Sequence, residues 1–128
     1  MHPFRSAVEA GDIEAAVALL APDIVFNSPI VFSPYHGREP VSVVLRAAFE
    51  VLEGLRYERE IGAPDARDHA LMFRAHVGDR EVQGCDFIHT GEDGRITEFT
   101  VMVRPLSGAN ALAVAMKDRL ERMLSAGA

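Results

Sequence analysis

Residues 69–104 read HALMFRAHVGDREVQGCDFIHTGEDGRITEFTVMVR, and their alternation and turns indicate the architecture of the domain. Apolar and polar side chains alternate from His69 to Val77, which is the period of a β-strand with one buried face. Gly78-Asp79 and residues 91–94 are typical of tight turns between antiparallel strands. The stretch therefore predicts a meander of strands at residues 69–77, 81–89 and 95–104.

The residues on either side of this meander favour helices. Their apolar spacing predicts helices at residues 3–10, 12–20, 38–53 and 109–125, a short strand at 24–26, an irregular loop at 29–37 and a strand that begins at Leu55. Helices before an antiparallel meander indicate an α+β domain rather than an alternating βαβ one. We predict one domain over residues 1–128: a curved antiparallel sheet with the three helices of the N-terminal half on its concave face, plus a C-terminal helix.

A sheet of this kind has a second face that the helices leave open. The strand set Leu71, Phe73, Ala75 and Val77 is apolar and needs a cover if it lies on that face. A second copy of the same sheet is the simplest cover. We therefore expect a homodimer that forms through the sheet.

The composition excludes several classes of protein. The chain has 128 residues, a formal net charge of -6 and no block of Lys or Arg, so we expect no nucleic-acid partner. Cys85 is the single cysteine, which rules out an intramolecular disulfide and a cysteine-based zinc site. No apolar run approaches the roughly 20 residues of a membrane-spanning helix, and the first residues lack the features of a signal peptide. We expect a cytoplasmic protein with no membrane partner.

Six short motifs follow one another along nearly the whole chain. They are Ala10-Gly11-Asp12, Pro22-Asp23, Gly37, Gly84-x-Asp86, Asp93-Gly94-Arg95-Ile96 and Met102-Val103-Arg104-Pro105. In this order and spacing the chain resembles the nuclear transport factor 2-like superfamily and its SnoaL-like branch. The resemblance implies a cone-shaped, cystatin-like fold around one apolar pocket. The family includes steroid isomerases, polyketide cyclases, epoxide hydrolases and dehydratases, and also members that only bind or assemble, so the fold does not give the function.

The steroid isomerases of this family use three site residues, and this chain departs from two of them. Counted along the matching motifs, their catalytic tyrosine falls on Phe4, their general-base aspartate on Ser28 and their oxyanion-hole aspartate on Asp86. A phenyl ring cannot donate a hydrogen bond to an enolate, and a serine hydroxyl cannot take an unactivated carbon-bound proton. We therefore do not expect steroid isomerisation by that mechanism.

Asp86 is the first candidate for a catalytic residue. It lies in the small and apolar run GCDFI, residues 84–88, so its carboxyl should be buried and either paired or protonated. It could act on a ligand, or it could be a structural group that holds a water or an arginine.

Arg74 is the second catalytic candidate, and the register of the hairpin decides its position. A two-residue turn sets Leu71 opposite Asp86, whereas a three-residue turn sets Met72 opposite Asp86 with Arg74 on the same face. The resemblance favours the three-residue turn. An Arg–Asp pair in the pocket would resemble part of the epoxide hydrolase site.

The resemblance also implies what lines the pocket and what it takes. The ligand would be a small apolar molecule, and any enzymatic step would be acid–base chemistry of an isomerase, cyclase or hydrolase kind. We expect no cofactor and no metal, because no two histidines have the spacing of a helical ligand pair. The alternative is a non-catalytic binding or dimerisation module whose cavity is filled by side chains. The implied lining residues are Phe4, Phe26, Ser28, Tyr35, Val44, Ala48, Met72, Phe99, Val101 and Val103.

Overall fold

The computed structural model describes residues 1–126, and its elements follow the predicted α+β order. The helices are α1 (Pro3–Glu9), α2 (Ile13–Ala18), α3 (Arg38–Val51) and α4 (Leu106–Ala126). The strands are β1 (Leu20–Asn27), β2 (Tyr35–His36), β3 (Glu53–Ile61), β4 (Asp68–Val77), β5 (Arg80–Thr90) and β6 (Ile96–Arg104). The predicted fold class, a curved sheet with helices from the N-terminal half and a C-terminal helix, is confirmed.

The strands form one sheet in the order β2-β1-β6-β5-β4-β3. Neighbouring strands are antiparallel except for β1 and β6, which run parallel. Across this pair the side-chain amide of Asn27 donates a 3.0 Å hydrogen bond to the hydroxyl of Thr100, 73 residues further along the chain. The sheet is therefore mixed rather than wholly antiparallel as predicted, and local periodicity cannot reveal a pairing between segments so far apart.

The observed element boundaries differ most from the predicted ones at three places. Strand β1 begins at Leu20, because an irregularity in its pairing with β6 between Leu20 and Val25 lets the strand pass Pro22. The predicted loop at residues 29–37 contains the short strand β2, which pairs with β1. Helix α4 begins at Leu106, directly after Pro105.

Within residues 1–126, no helix has both the length and the hydropathy that a membrane span requires.

The hairpin between β4 and β5 has a two-residue turn. Val77 pairs with Arg80 and Leu71 pairs with Asp86. Gly78 has a φ of 60°, which the two-residue hairpin turns require and which glycine adopts without strain. The register with Met72 opposite Asp86 is therefore wrong. Because neighbours across a ladder share a face, Leu71 lies on the same face as Asp86.

This register reverses the faces expected for β4. Leu71 and Phe73 are buried on the concave face, where they join the core under the helices. Helix α3 adds Val41 and Leu45 to this core. Burying one such side chain stabilises the fold by about 1.5–3 kcal/mol. The predicted second apolar face made by the Leu71 strand set is thus the inner face, and helices rather than a second copy cover it.

Candidate functional site

A cavity of about 450 Å³ lies between the concave face of the sheet and the helices α3 and α4. Its wall on the sheet side contains Phe73, Phe99 and Val101. The helices contribute further apolar side chains, namely Val44, Leu45, Ala48, Phe49, Ala113, Met116 and Leu120. Small-molecule sites in proteins typically have volumes of about 300–1,000 Å³ and apolar walls with a few polar groups. The cavity has the size and the surface of such a site.

Asp86 supplies the carboxyl group of this wall. It lies on β5 between Leu71 of β4 and Val101 of β6, and only 5% of its surface is exposed. Desolvation by burial raises the pKa of Asp86 to about 7, against the opposing effect of a hydrogen bond from Tyr57. Near neutral pH, Asp86 is therefore present in both its protonated and its ionised form.

Tyr57 is the hydrogen-bond partner of Asp86. It lies on β3, and its hydroxyl donates to Asp86 Oδ2 at 2.9 Å. Burial and the neighbouring charge of Asp86 raise the pKa of Tyr57, so the phenol stays protonated and remains a donor. The Arg5 guanidinium of α1 lies over the Tyr57 ring, 6.0 Å from its centre. Tyr57 thus holds one oxygen of Asp86 in place from the protein side.

Gly84 on β5 makes room for the ring of Phe73 on β4, which in turn packs against Tyr57 on β3. Tyr57, Phe73 and Gly84 lie in register on three neighbouring strands. The rings of Tyr57 and Phe73 meet edge to face, with centroids 6.2 Å apart. A Cβ at Gly84 would lie 2.3 Å from Cζ of Phe73, so only glycine leaves space for this ring. The glycine of the Gly84-x-Asp86 motif therefore lets the ring of Phe73 lie directly against the backbone of Gly84.

Sequence reasoning missed Tyr57. Its strand, β3, pairs with β4 through two irregularities, one between Glu53 and Arg56 and one between Tyr57 and Arg59. These shifts break the simple alternation that would show which side chains of β3 face inward. The usable signal was the two-residue turn itself, since an inward Phe73 requires its cross-strand neighbour Tyr57 to face inward as well.

One oxygen of Asp86 has no hydrogen-bond partner among the described residues. Oδ2 accepts from Tyr57, and Oδ1 makes no hydrogen bond to any of residues 1–126 while the residue lines the cavity. When protonated, the carboxyl can donate to a ligand oxygen or transfer its proton. When ionised, it can accept from a ligand hydroxyl.

Three further lining residues carry polar groups. The Ser28 hydroxyl oxygen accepts hydrogen bonds from the backbone N–H groups of Ile30 and Val31, at 3.1 and 3.0 Å, and so it shapes the loop after β1. Tyr35 lies half-buried on β2 beside Phe26. Lys117 is exposed on α4. Among the residues described, Asp86 and Lys117 are the charged side chains of the lining.

Arg74 and Met72 do not lie at this site. Arg74 is on the outer face of β4, where its Nε donates to the Glu58 carboxylate at 3.0 and 3.1 Å. Met72 shares that outer face with Cys85. Both placements follow from the two-residue turn, which moves every side chain of β4 to the face opposite the expected one. The predicted contact between Arg74 and Asp86 is wrong.

Phe4 and Val103 also lie outside the cavity wall. Phe4 is fully buried and packs edge to face against Phe99, with centroids 5.0 Å apart, so it supports the wall from behind. Val103 follows Val101 along β6 and packs against the core without reaching the cavity. The remaining residues of the implied lining do border the cavity, namely Phe26, Ser28, Tyr35, Val44, Ala48, Phe99 and Val101.

Candidate metal ligands are not gathered at this site or elsewhere in residues 1–126. Over that range, no three His, Cys, Asp or Glu side chains come together in a way that would hold a metal ion. Of the five histidines, His69 and His76 lie on β4, His36 on β2 and His89 on β5, and His2 precedes α1.

Comparison with known proteins places these features in context. Residues 2–99 match the family model described as a SnoaL-like domain. No curated protein matches the chain at a significant level. Two solved structures are similar in both sequence and fold.

The first is a steroid delta-isomerase from Pseudomonas aeruginosa, with 41% identity and a TM-score of 0.88 over 94% of this chain and 88% of that one. The second is a protein with a cystatin-like fold from Silicibacter pomeroyi, with 36% identity and a TM-score of 0.85 over 93% and 86%. A SnoaL-like protein from Burkholderia thailandensis shares the fold alone, with 17% identity and a TM-score of 0.66 over 80% and 90%.

Proposed function

Because the chain belongs to the SnoaL-like domain family, we propose that it binds a small, largely apolar molecule in its cavity and holds an oxygen of that molecule against Asp86. One observation carries the proposal. A buried carboxyl, fixed by Tyr57, presents its free oxygen to an apolar cavity of about 450 Å³. A buried polar group of this kind costs free energy unless it is satisfied, and a ligand oxygen satisfies it.

The protonation state of Asp86 selects the ligand group. With its pKa at about 7, the carboxyl gains a proton readily once a ligand displaces water from the cavity. A protonated carboxyl donates a hydrogen bond, and a carbonyl oxygen is a fitting neutral partner because it can only accept. We therefore propose a ketone, aldehyde or ester oxygen as the group that meets Asp86.

As an enzyme, the protein would use Asp86 as a proton donor. A carbonyl that accepts a short hydrogen bond from Asp86 is polarised, and negative charge that develops on its oxygen is stabilised. This fits acid–base chemistry of an isomerase, cyclase or hydrolase kind. Tyr57 keeps the carboxyl oriented throughout, because its own proton stays on the phenol.

The similar structure named as a steroid delta-isomerase does not carry that reaction over to this chain. The steroid isomerase mechanism needs a carboxylate base opposite the oxyanion hole, and the residue at that position is Ser28. Its oxygen accepts from two backbone amides. Phe4, at the position of the catalytic tyrosine, lies behind the wall. Of the three groups, Asp86 alone has the required chemistry.

Binding without turnover is the second candidate function. Within the described residues, Asp86 is the sole carboxylate of the lining, and general acid–base reactions commonly use a second such group. A carrier or sensor needs only the cavity and one polar anchor. The sequence also allowed a non-catalytic module whose cavity is filled by side chains. A cavity of about 450 Å³ is open, which does not support a filled one.

A spectroscopic titration with β-ionone tests the proposal. This neutral conjugated ketone absorbs at longer wavelength when its carbonyl accepts a hydrogen bond. We expect bound β-ionone to show this red shift at pH 6 and to lose it as the pH rises above about 7, because the bound carbonyl favours the protonated form of Asp86. Asp86→Asn should bind β-ionone with a spectrum that does not change with pH.

Asp65→Asn is the matched control, because Asp65 is exposed in the turn after β3 and does not border the cavity. It should behave as the unaltered protein. A bound spectrum that is independent of pH in the unaltered protein would show that Asp86 does not contact the carbonyl.

We also propose that the protein forms a homodimer through the outer face of the sheet. Met72, Cys85 and Met102 lie in register across β4, β5 and β6 on that face. Met102 keeps 59% of its surface exposed, and Phe87 on the same face keeps 43%. A second copy related by a twofold axis would cover this strip with its own equivalent.

Light scattering at micromolar concentration measures the assembly directly. We expect the mass of two chains for the unaltered protein and of one chain for Met102→Glu, which places a charge on the strip. A single-chain mass for the unaltered protein would remove the proposal of a dimer without affecting the cavity.

A further inference from the structure

We infer that the natural ligand of the cavity carries an anionic group, which Lys117 binds at the rim while Asp86 holds an oxygen at the inner end. The ligand class is therefore an apolar oxo acid: a hydrocarbon body with a carbonyl near one end and a carboxylate, or an anion of similar size, at the other. This inference rests on the proposed function, because it assumes that a ligand occupies the cavity.

The position of Lys117 on α4 is the first argument. Ala113, Met116, Lys117 and Leu120 all border the cavity, with the spacing of one helix face. Lys117 is the exposed member of this stripe, whereas Met116 is buried. A lysine in such a place lays its methylene stem against the apolar wall and keeps its ammonium at the opening. The ammonium is therefore available to a ligand that projects from the cavity.

The charge of Lys117 is the second argument. The neighbouring arginines of α4 already have partners, since Arg119 pairs with Glu50 and Arg122 pairs with Asp118. Among residues 1–126, no carboxylate lies within 4.0 Å of the Lys117 ammonium. The cation at the rim is thus left for another anion.

The overall charge of the chain is the third argument, because a cation at the cavity mouth contrasts with the acidic character of the protein. The formal net charge is -6, so the surface as a whole repels anions. Lys117 is also the single lysine of the chain, whose remaining basic residues are arginines. A cation at the mouth of the apolar cavity offsets part of this repulsion where an anionic ligand would enter.

A matched ligand pair tests the inference. The probes are 9-oxodecanoic acid and its methyl ester, which share the carbonyl and the chain and differ in the charged end. By calorimetry, we expect the acid to bind the unaltered protein about fivefold more tightly than the ester, as for an ion pair at a partly exposed site. Lys117→Gln should remove this preference and leave the affinity for the ester unchanged, whereas Lys117→Arg should retain it.

Arg122→Gln is the matched control, because it removes the same charge from the same helix at a residue that does not border the cavity. Its acid-to-ester preference should equal that of the unaltered protein. Reductive methylation with carbon-13 adds a direct readout, since a single lysine gives a single side-chain signal. The acid should shift this signal and the ester should not.

The outcomes separate this inference from the proposed function. Suppose that the unaltered protein and Lys117→Gln prefer the acid equally, while the ester still binds and its binding still responds to Asp86→Asn. This result would overturn the role of Lys117 and leave the proposed function standing. Failure of both probes to bind the unaltered protein would overturn the proposed function and the inference together.

Discussion

The stability of the fold should fall as the pH rises from about 4 to about 8, and Asp86→Asn should abolish this part of the pH dependence. The pKa of Asp86 is about 7 in the folded protein, against an ordinary value of 3.8. The folded state therefore binds the proton more tightly than the unfolded state does. By linkage, stability is fully present below pH 3.8 and is lost progressively as the pH rises to about 7.

The interval between these two pKa values sets the magnitude. At about 1.4 kcal/mol for each pH unit, it corresponds to a loss of about 4 kcal/mol in the free energy of unfolding. The asparagine variant has no proton to lose, and its amide oxygen can still accept from Tyr57. The difference in unfolding free energy between the unaltered protein and Asp86→Asn should therefore change by about 4 kcal/mol over this range.

Urea unfolding at a series of pH values measures this difference, and groups that titrate equally in both proteins cancel. Asp65→Asn serves again as the control for replacing an exposed aspartate, and its difference from the unaltered protein should stay small throughout. A difference between the unaltered protein and Asp86→Asn that stays flat from pH 4 to pH 8 would refute a buried, desolvated carboxyl at this position.

Three other substitutions have specific expected results. Tyr57→Phe removes the donor to Asp86 Oδ2, so the free energy of unfolding should fall by about 1–3 kcal/mol, and urea series should place the end of the Asp86 transition at a higher pH. Gly84→Ala places a Cβ 2.3 Å from Cζ of Phe73, so urea unfolding should show a loss of about 1–3 kcal/mol and β-ionone should bind less tightly. Arg74→Met breaks an exposed ion pair with Glu58, so the free energy of unfolding should change by less than about 1 kcal/mol. The affinity for β-ionone should stay the same. Weaker binding of β-ionone would mean that Arg74 faces the cavity.

The fold could be predicted because its signals are local. Alternation from His69 to Val77 marks a strand, Gly78-Asp79 marks a turn, and the apolar spacing of residues 38–53 marks a long helix. The structure has each of these elements. The parallel pairing of β1 with β6 was not predictable, since it depends on side chains that meet only after the whole sheet has formed.

The site could be predicted only where one residue was enough. Asp86 stood out because a carboxyl within an apolar strand must be paired or protonated. Arg74 was the favoured partner and Tyr57 was missed, because the same turn residues allow two registers that differ by one position. Seven of the ten implied lining residues border the cavity, and Met72 is misplaced by the same one-residue error. Whether Asp86 acts as a catalytic group stays a prediction, as does a cytoplasmic location.

The pairing of β1 with β6 also has a consequence for the newly made chain. Asn27 leaves the ribosome 73 residues before Thr100, which is about 4–15 s of synthesis at roughly 5–20 residues per second. During this interval the apolar side chains of β1, such as Ile24 and Phe26, have no long strand beside them. For several seconds, the edge of β1 that will pair with β6 is therefore unpaired. An unpaired strand edge can associate with other chains, so a chaperone would be most useful to this protein at this stage.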